Sequence, residues 1–580
     1  MVNSIRVDRS IPMKMRDGVI LRADIYRPDD HEKHPAIVVR TPYDKILSGH
    51  SDYLSALHAA FAGYAFVVQD IRGRFASEGE FQPMGSEGPD GYDTIETVAA
   101  EPWCDGNVGM VGSSYLGRNQ WQAAIENPPH LKAIAPSIIS AGPISDTRMT
   151  GVMDLEQSIS WFAAMAIDML VKLKQEGKDV TEAAGMLERA RFNLNEVYNY
   201  LPLKDLPHFK FEGLREGFMA RMANDLPPNI KTDEDLLWPF EKVHCPCFHN
   251  GGWYDIFNGG LFTAFKGMRE RGGTELARNN QYVLCGPWFH GSILPAYVGG
   301  INFGQAASSM ATFTMERHIT FFDKYLRGIE GRPMAAVRYF VMGRNRWKNA
   351  DTWPLPETQW KRFFLHSKGM ANTLNGDGFL STDAPGSESP DIYTYDPRFP
   401  VPTLGGRNLL AGTLVSGPFD QRPIEQRKDV LCYTTPEMKE EMEVTGPLKL
   451  HLFAATSVRD TDFMAKLIDV YPDGTAYNVA EGCIRARFRK GLLHEEFINP
   501  GDVNEYIIDL AQTSIVLGVG HRLRIDITSS NFPRIDRNMN TGNPFGEDAK
   551  GIPAVQTIFH QTEYPSYICL PVIQPRWQMW

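Results

Sequence analysis

Apolar runs separated by polar or glycine-rich loops dominate the first third of the chain. After Pro35 the sequence reads PAIVVRTPYDK, then GYAFVVQDIRGRFASEG, then GNVGMVGSSYLG. Segments with helical spacing lie between these runs, at residues 53–62 and 90–100. Apolar strands that alternate with helices are typical of a parallel sheet covered on both faces. The pattern therefore predicts an α/β fold for this region.

The apolar positions change to helical spacing after Ala135. Residues 154–203 contain LEQSISWFAAMAIDMLVKLKQEG and EAAGMLERARFNLNEVYNYL, with charges between the apolar positions and no strand pattern. Strand-like runs resume at CPCFHNGGWYD and QYVLCGPWFHG. The helical block is therefore predicted to be an insertion between two parts of one sheet, lying as a cap over the strand ends.

A third pattern begins after a helical segment at residues 314–327, which is followed by Gly328 and Pro333, residues that commonly end helices. From about Trp353 onward, short strand-like runs follow one another closely. This spacing predicts an antiparallel sandwich of the jelly-roll kind. The predicted segments are 1–143 and 241–350 for the α/β domain, 144–240 for the cap and 351–580 for the sandwich.

Size, composition and charge agree with several globular domains. The chain has 580 residues, more than the roughly 250–300 at which one core stops growing. Its 43% hydrophobic and 22% charged residues are ordinary for a globular protein. A net charge of −11 repels phosphate backbones and anionic lipid surfaces, so neither nucleic acid nor a membrane is expected as a partner. We find no apolar run long enough for a membrane span.

Seven scattered cysteines are typical of reduced thiols in a cytoplasmic protein, and the amino terminus has no apolar run of signal-peptide length. Cys245 and Cys247 form a C-x-C pair that a metal or redox site could use. Only His244 and His249 lie nearby as further ligands, and the pair stands in a strand-like run. We therefore interpret it as part of a buried strand and predict no metal.

The strongest local motif is GNVGMVGSSYLGRNQWQAA, in which an apolar run reaches Gly112 and Ser114 and a helical segment follows. A nucleophilic serine needs this strand–turn–helix context, because the strained turn exposes the hydroxyl and the next backbone N–H points into the oxyanion site. The usual G-x-S-x-G is not kept, since Leu116 stands second after Ser114 and the glycine is Gly117. Ser113 is a rival nucleophile, and a Gly-Ser turn without chemistry is the alternative to both.

Two further loops each place a titratable residue just after a predicted strand. Asp255 ends NGGWYD and His290 lies in GPWFHG, and open parallel sheets build their sites at such strand ends. The order Ser, Asp, His is that of α/β-hydrolases. A neutral histidine accepts the serine proton and a carboxylate orients the histidine. We therefore predict Ser114 as nucleophile, His290 as base and Asp255 as orienting acid.

Together these residues resemble a known family, the cocaine esterase-like (CocE/NonD) branch of the X-prolyl dipeptidyl-peptidase-like α/β-hydrolases. The blocks RTPYDK, QDIRGRFASEGEF, GSSYLGRNQWQAA, LKAIAPS, GWYD, GPWFHG and FFDKYLRG are similar to family blocks in order and approximate spacing, over nearly the whole chain. The family's Ser-Tyr-x-Gly form accounts for Leu116. The resemblance implies an α/β-hydrolase domain, an inserted helical cap and a C-terminal jelly roll, without metal or organic cofactor.

The resemblance also implies site residues. It carries over Ser114, Asp255 and His290 as the catalytic triad. Tyr43 of RTPYDK matches the family tyrosine whose hydroxyl forms the oxyanion hole with the backbone N–H of Tyr115. The alternative for Tyr43 is a packed aromatic ring at a strand end.

The block DIRGRFASEGEF places Arg72 and Arg74 on either side of a glycine. A phosphate-binding loop would need a Walker lysine, which this block lacks. We predict instead that the loop is held by an ion pair from Arg72 to Asp70 or Glu78.

The residues after Asp255 bear on the substrate. Ile256, Phe257 and Asn258 follow it, whereas the amino-ester hydrolase relatives place acidic residues there to bind an ammonium group. A small-molecule ester or related acyl substrate with a neutral or apolar acyl group is therefore expected. Phe257 matches an aromatic lining position of the esterase-like members. Trp161 on the cap is a further candidate for the pocket wall, with core packing as its alternative.

Ester hydrolysis through an acyl-enzyme is the predicted reaction, and three alternatives stay open. Two are enzymes of the same family, an X-prolyl dipeptidyl-peptidase and an acylase for amide or β-lactam substrates. The dedicated X-prolyl peptidases carry an additional amino-terminal region, which weighs against the first. The third is a vestigial hydrolase that only binds a ligand such as a carbohydrate. Homodimers occur among relatives, so a homodimer is an expected assembly.

Overall fold

A ten-stranded sheet forms the centre of the first half of the molecule. The computed structural model describes residues 4–85, 87–291, 293–409 and 414–574. The ten strands are β1 (Ile5–Lys14), β2 (Ile20–Pro28), β3 (His34–Thr41), β4 (Ala65–Asp70), β5 (Cys104–Ser113), β6 (Leu131–Ser137), β7 (Cys247–Tyr254), β8 (Gln281–Phe289), β9 (Val337–Val341) and β10 (Arg346–Ala350). Their order in the sheet is β1-β2-β4-β3-β5-β6-β7-β8-β9-β10.

Pairing direction divides this sheet into a parallel centre and antiparallel edges. The strands from β4 to β9 in that order pair in parallel, and β1, β2 and β10 pair antiparallel. Every residue of β4 and β7 is buried, whereas β1 at the edge is mostly exposed or half-buried. This is the difference expected between strands covered on both faces and a strand that borders solvent.

Helices cover the sheet and form the inserted cap. They are α1 (Lys45–Ser48), α2 (Ala56–Phe61), α3 (Gly88–Ala100), α4 (Tyr115–Ile125), α5 (Leu155–Gln175), α6 (Thr181–Phe192), α7 (Leu194–Asn199), α8 (Arg215–Met222), α9 (Asn258–Arg271), α10 (Glu275–Asn279), α11 (Thr314–Phe322) and α12 (Arg422–Glu425). The cap helices α5 to α8 lie in sequence between β6 and β7. Their apolar faces join one core with residues of the sheet, including Phe66 and Val111.

The C-terminal half is an antiparallel sandwich. Its strands are β11 (Gln359–His366), β12 (Phe379–Ser381), β13 (Asp391–Tyr395), β14 (Leu431–Thr434), β15 (Met442–Thr456), β16 (Asp462–Val470), β17 (Ala476–Arg485), β18 (Asn504–Leu517), β19 (Arg522–Thr528), β20 (Ala554–Gln561), β21 (Tyr564–Pro565) and β22 (Tyr567–Ile573). Its core is continuous with the first domain, because Trp353 stacks on Phe262 of α9 with ring centroids 4.3 Å apart.

The predicted fold class, an α/β-hydrolase domain with a helical cap and a C-terminal jelly-roll sandwich, is confirmed. The proposed boundaries at residues 143, 240 and 350 stay predictions. Some helix ends differ from the pattern. The helix predicted at residues 53–62 begins at Ala56, because Ser55 caps it by accepting the His58 N–H. The helix predicted at 314–327 is α-helical to Phe322 and then continues as a π-turn to Arg327.

The predicted partners of Arg72 were wrong. Its guanidinium pairs with both oxygens of Asp90 on α3, at 2.9 and 2.7 Å, and with Asp17 at 2.7 Å. Asp70 instead binds Lys45, and Glu78 accepts the backbone N–H of Ile20. The nearest carboxylates in sequence were therefore not the nearest in space.

The C-x-C pair lies in the core, where Cys245 is 5% and Cys247 0% exposed. Within the described ranges, no group of three or more His, Cys, Asp or Glu side chains is arranged to hold a metal ion. Nor does any described helix combine the length and apolar content needed to cross a bilayer.

Candidate active site

Ser114 stands at the sharp turn between β5 and α4. Its backbone has φ 57° and ψ −122°, a conformation that costs an L-residue energy and is typical of a nucleophile elbow. The backbone N–H of Ser114 donates to the carbonyl of Ser137 on β6 at 2.9 Å, which fixes the turn against the neighbouring strand. The side chain is thereby presented at the carboxyl end of the parallel sheet.

The two glycines around this turn are required by space. A Cβ on Gly112 would lie 2.5 Å from the Cβ of Leu116, so no larger residue fits opposite that leucine. A Cβ on Gly117 would lie 3.1 Å from a methyl of Ile139 and 3.2 Å from the carbonyl of Ser137. The departure from G-x-S-x-G thus has a physical reason, since helix α4 packs closely against β6 through Gly117.

Asp255 and His290 reach the serine from the ends of β7 and β8. The Nε2 atom of His290 lies 3.1 Å from Ser114 Oγ, and its Nδ1 lies 2.8 Å from Asp255 Oδ2. The other oxygen of Asp255 accepts the Phe257 N–H at 2.8 Å, so the carboxylate is held on both sides. Asp255 is 1% and His290 7% exposed. One hydrogen-bonded row thus joins the three side chains.

Tyr43 lies beside this row, just after β3. Its hydroxyl accepts the indole N–H of Trp161 at 3.1 Å and also interacts with Ser114. Burial raises the pKa of the Tyr43 hydroxyl, and these two hydrogen bonds offset the rise only in part, so the group keeps its proton at neutral pH. Tyr115 is the first residue of α4, where a backbone N–H has no partner within the helix. Both groups are therefore available as donors near Ser114.

Arg74 ties the Tyr43 loop to the cap. The side chain is 1% exposed and donates to the carbonyl of Pro42 and to the carbonyl of Met165 on α5, each at 3.0 Å. Its guanidinium also lies 3.6 Å from Asp168. This role could not be predicted from local sequence, because Met165 and Asp168 lie more than 90 residues further along the chain.

A cavity of about 660 Å³ opens beside Ser114, between the sheet and the cap. Its apolar wall near the serine includes Trp161, Phe257, Ile139 and Leu409, which form one cluster with Ile256. The Phe257 ring meets His290 edge-on at 5.5 Å. Trp161 stacks on Tyr115 with ring centroids 6.0 Å apart. Both aromatic residues predicted for the pocket therefore line this cavity.

Three arginines of the cavity wall were not anticipated from the sequence. Arg118 lies on α4, Arg148 precedes the cap helices and Arg221 lies on α8. Arg118 stands in the serine motif, where it has no assigned role, and Arg148 and Arg221 stand in no recognised motif. Their meeting depends on how the cap folds back over the sheet, which local sequence does not determine.

Comparison with known proteins identifies relatives over the full length. Residues 17–292 match the X-Pro dipeptidyl-peptidase (S15) family, and residues 332–569 match the X-Pro dipeptidyl-peptidase C-terminal non-catalytic domain. Cocaine esterase of Rhodococcus sp. (strain MB1 Bresler) is 38% identical, over 98% of this chain and 99% of that protein. The chain belongs to the cocaine esterase family of α/β-hydrolases. As a member of this family it is a serine hydrolase of the carboxylic ester hydrolase class.

Solved structures with lower identity share the fold of this family. An aminopeptidase from a marine sediment Thaumarchaeota archaeon superposes with a TM-score of 0.76 at 23% identity, covering 98% of this chain and 96% of its own. An α-amino acid ester hydrolase superposes with a TM-score of 0.75 at 24% identity, covering 98% and 97%. The common architecture therefore extends from the α/β-hydrolase domain through the C-terminal sandwich.

Proposed function

We propose that this protein hydrolyses a carboxylic ester of a small molecule through an acyl-enzyme, with Ser114 as nucleophile, His290 as base and Asp255 as orienting acid. The observation that carries the proposal is the row of hydrogen bonds from Ser114 Oγ through both ring nitrogens of His290 to Asp255, at 3.1 and 2.8 Å. The row begins at a strained turn that opens into a cavity. A serine needs such a base to become nucleophilic.

The reaction follows from this geometry in two halves. Ser114 Oγ attacks the ester carbonyl while His290 Nε2 takes its proton, and Asp255 stabilises the imidazolium. His290 then gives the proton to the leaving alcohol, which departs and leaves an acyl group on Ser114. A water molecule, deprotonated by His290, attacks the acyl carbon and releases the acid. Each half passes through a tetrahedral oxyanion.

The oxyanion is proposed to be bound by the Tyr43 hydroxyl and the Tyr115 backbone N–H. Because Trp161 donates to the Tyr43 oxygen, the tyrosine proton must point away from the indole, and the hydroxyl also interacts with Ser114. A donor fixed in advance costs no reorganisation as charge develops. Trp161 is in this sense a positioning residue for Tyr43.

The cavity wall favours an ester with a neutral or apolar acyl group over an α-amino acyl compound. The Phe257 ring contacts His290, and the Trp161 ring stacks on Tyr115. Binding of an ammonium group would need a buried carboxylate near the acyl carbon. The acidic residues of the described wall, Glu80, Glu212, Glu216 and Asp225, are all exposed. The peptidase and acylase alternatives are therefore the weaker candidates.

We further propose a class of substrate, an assembly and a cellular location. The negative net charge favours a small-molecule substrate over nucleic acid or a membrane surface as partner, and a homodimer is the proposed assembly. The seven cysteines are free thiols, which supports a reducing, cytoplasmic location.

The test of the proposal is a panel of phenyl esters, aminoacyl-proline amides and β-lactam amides with the purified protein. We expect hydrolysis of the esters and incorporation of a fluorophosphonate probe at Ser114, located by peptide mass. Turnover of the amides alone would favour the acylase or peptidase alternative. A protein that neither turns over any substrate nor reacts with the probe would be a vestigial binding protein.

A further inference from the structure

Three guanidinium groups, those of Arg118, Arg148 and Arg221, line one cavity, and their surroundings leave positive charge unbalanced. Arg118 is 5% and Arg148 7% exposed, and the side chain of Arg221 is 15% exposed. A buried cation is costly unless it is paired with an anion. What each of the three contacts is therefore informative about the cavity's ligand.

Arg118 has only neutral acceptors. It donates to the carbonyls of Pro143 at 3.0 Å and Met84 at 2.8 Å, and it lies over the Trp238 ring. Its Nε–H has no acceptor among the described residues. The nearby carboxylate of Glu87 is already hydrogen-bonded to Arg40 at 3.1 Å. Arg118 therefore keeps its positive charge without a dedicated counterion.

Arg148 and Arg221 lie next to one another, and nearby carboxylates compensate only part of their positive charge. Arg148 donates to Asn224 Oδ1 at 2.8 Å and to the Asp225 carbonyl at 2.7 Å, both neutral acceptors. Burial, together with the charge of Arg221, lowers the pKa of Arg148 to about 9. Arg221 donates to Ser158 Oγ at 2.7 Å, and Asp154 is 3.8 Å away.

Two carboxylates act on this part of the wall among the described residues, those of Asp154 and of the exposed Asp225, which lies close to Arg148. Asp154 also accepts the Ser145 hydroxyl at 2.6 Å, so its charge is shared. The remaining wall carboxylates belong to exposed residues. Three buried or nearly buried cations thus face one buried and one exposed carboxylate, and positive charge exceeds negative charge in the interior of the cavity.

This positive region is near the reacting centre. Ser158, which holds Arg221, is three residues before Trp161 on α5, so the two side chains lie on one face of that helix. Trp161 in turn donates to the Tyr43 hydroxyl beside Ser114. Arg118 is four residues after Ser114, one turn into α4. A substrate bound at Ser114 would therefore extend toward the arginines.

From this arrangement we propose that the preferred substrate is an ester that also carries a carboxylate, and that Arg118, Arg148 and Arg221 form the subsite for that carboxylate. The inference rests on the proposed esterase function and adds the charge of its substrate. Guanidinium groups bind carboxylates with strong, directional hydrogen bonds. The ester carbonyl would lie among Tyr43, Trp161 and Phe257, and the carboxylate would replace the missing counterion.

The carboxylate can lie at the far end of either side of the ester, so that the part of the acyl group next to the carbonyl is neutral and apolar in both cases. Substrate pairs distinguish the two sides. The acyl-side pair is monophenyl adipate against its terminal carboxamide. The alcohol-side pair is 4-carboxyphenyl butyrate against 4-carbamoylphenyl butyrate. We expect at least about tenfold higher kcat/KM for the carboxylate member of one pair, a preference that weakens as salt is raised. Ratios near or below one in both pairs would overturn the proposal.

Variants assign the preference to these residues. Arg148→Met and Arg221→Met should each lower kcat/KM for the preferred carboxylate ester by about tenfold. The matched carboxamide should change by less than about threefold. Arg215→Met is the control, because Arg215 is exposed at the mouth of the same cavity and should leave the ratio unchanged. Equal loss for both members of a pair would mean that the arginines only hold the cap in place.

A binding measurement separates failure of this inference from failure of the esterase proposal. The Ser114→Ala protein cannot form the acyl-enzyme but keeps the arginines. We expect adipate to raise its Tm, and adipamide at the same concentration to have little effect. If adipate binds to the Ser114→Ala protein while the unchanged protein hydrolyses no ester, the carboxylate subsite is supported and the esterase proposal fails. Equal shifts with the two compounds would overturn the subsite.

Discussion

Among the residues that the structure describes, serine, histidine and aspartate side chains meet in two separate places. One is the candidate site at the end of the parallel sheet, with Ser114, His290 and Asp255. The other lies in the C-terminal sandwich, where Ser367, His560 and Asp391 are in contact. The two clusters have the same three residue types, so the differences between them show what a nucleophilic serine requires.

The hydrogen bonds differ in their layout. In the first cluster His290 stands between the other two side chains and uses one ring nitrogen for each. In the second, Ser367 Oγ and His560 Nε2 both bind the same oxygen of Asp391, at 2.7 and 2.9 Å. The other nitrogen of His560 is 3.1 Å from Glu388. His560 Nε2 is also 3.1 Å from Ser367 Oγ, but both nitrogens of His560 are directed at carboxylates, so neither is free to accept a serine proton.

Charge and access differ as well. Burial opposes charge on both His560 and Asp391, yet the hydrogen bonds between them raise the pKa of His560 and, with others, lower that of Asp391. Hydrogen bonding in the second cluster therefore favours a charged His560 paired with a charged Asp391. Ser367, His560 and Asp391 are 4%, 1% and 0% exposed, whereas Ser114 lines a cavity of about 660 Å³. We interpret the second cluster as a structural tie between strands of the sandwich.

The largest contrast should come from removing each serine hydroxyl. Ser114→Ala is expected to lower kcat by about 10⁶-fold, because the three groups act as a unit, and to leave Tm nearly unchanged. Ser367→Ala should leave kcat within about twofold and lower Tm, since it removes a buried hydrogen bond to a charged group. Ester hydrolysis and thermal unfolding of both variants provide the measurement.

The neighbouring serine is the control for the position of the elbow. Ser113→Ala should stay active, since Ser113 is the last residue of β5 and Ser114 has the strained backbone. An inactive Ser113→Ala protein with an active Ser114→Ala protein would show that the nucleophile is one residue earlier.

The next effect concerns the Tyr43 hydroxyl, which lies beside the nucleophile, whereas the tyrosine of the second cluster, Tyr433, donates to Asp391 at 2.7 Å. Tyr43→Phe keeps the ring and removes the proposed oxyanion donor. The loss of one such donor costs roughly 2.7–4 kcal/mol, or about 10²–10³ in kcat. KM should change little, because the donor strengthens its bond as charge develops in the transition state. Near-normal turnover would show that the oxyanion donor lies elsewhere and that Tyr43 is a packed aromatic.

Sequence patterns were most informative about side chains that lie directly after a strand. Ser114, Asp255 and His290 each come just after an apolar run, and parallel pairing brings the ends of such runs to one edge of the sheet. The order of the three residues indicated a triad, and the resemblance of whole blocks added Tyr43. Local sequence was sufficient to predict where these side chains lie, because the position of each depends only on the strand and turn that carry it.

Contacts that depend on the cap could not be predicted in the same way. Arg148 and Arg221 are 73 residues apart and meet only after α5 to α8 have folded over the sheet. Arg72 shows the same limit, since its partner Asp90 lies on α3 and not in the adjacent loop. The second serine cluster also gave no signal, because Ser367, Asp391 and His560 come from three distant strands or strand ends.

A smaller effect is expected for the ion pair of the second cluster, measured as stability. His560→Gln should lower the free energy of unfolding by about 2 kcal/mol at pH 6, the scale of a buried hydrogen bond to a charged group. The pKa of His560 is raised in the folded protein, so its contribution is complete below the unfolded value of about 6.5 and is lost as pH rises through the folded value. The Tm difference from the unchanged protein should therefore be larger at pH 6 than at pH 9. The same difference at both pH values would contradict the ion-pair interpretation, and ester hydrolysis should be unaffected throughout.

The smallest effect should come from Trp161→Phe, which keeps an aromatic ring on Tyr115 and removes only the indole N–H that binds the Tyr43 oxygen. A net hydrogen bond of this kind is worth about 0.5–1.5 kcal/mol, so kcat should fall by roughly three- to tenfold while KM for an apolar ester changes less. A double-mutant cycle separates positioning from packing. In the Tyr43→Phe background the indole has no hydroxyl to orient, so Trp161→Phe should have almost no further effect on kcat. If the two losses instead add in full, Trp161 acts only as a wall of the cavity, and the direction of the Tyr43 proton must be set by another group.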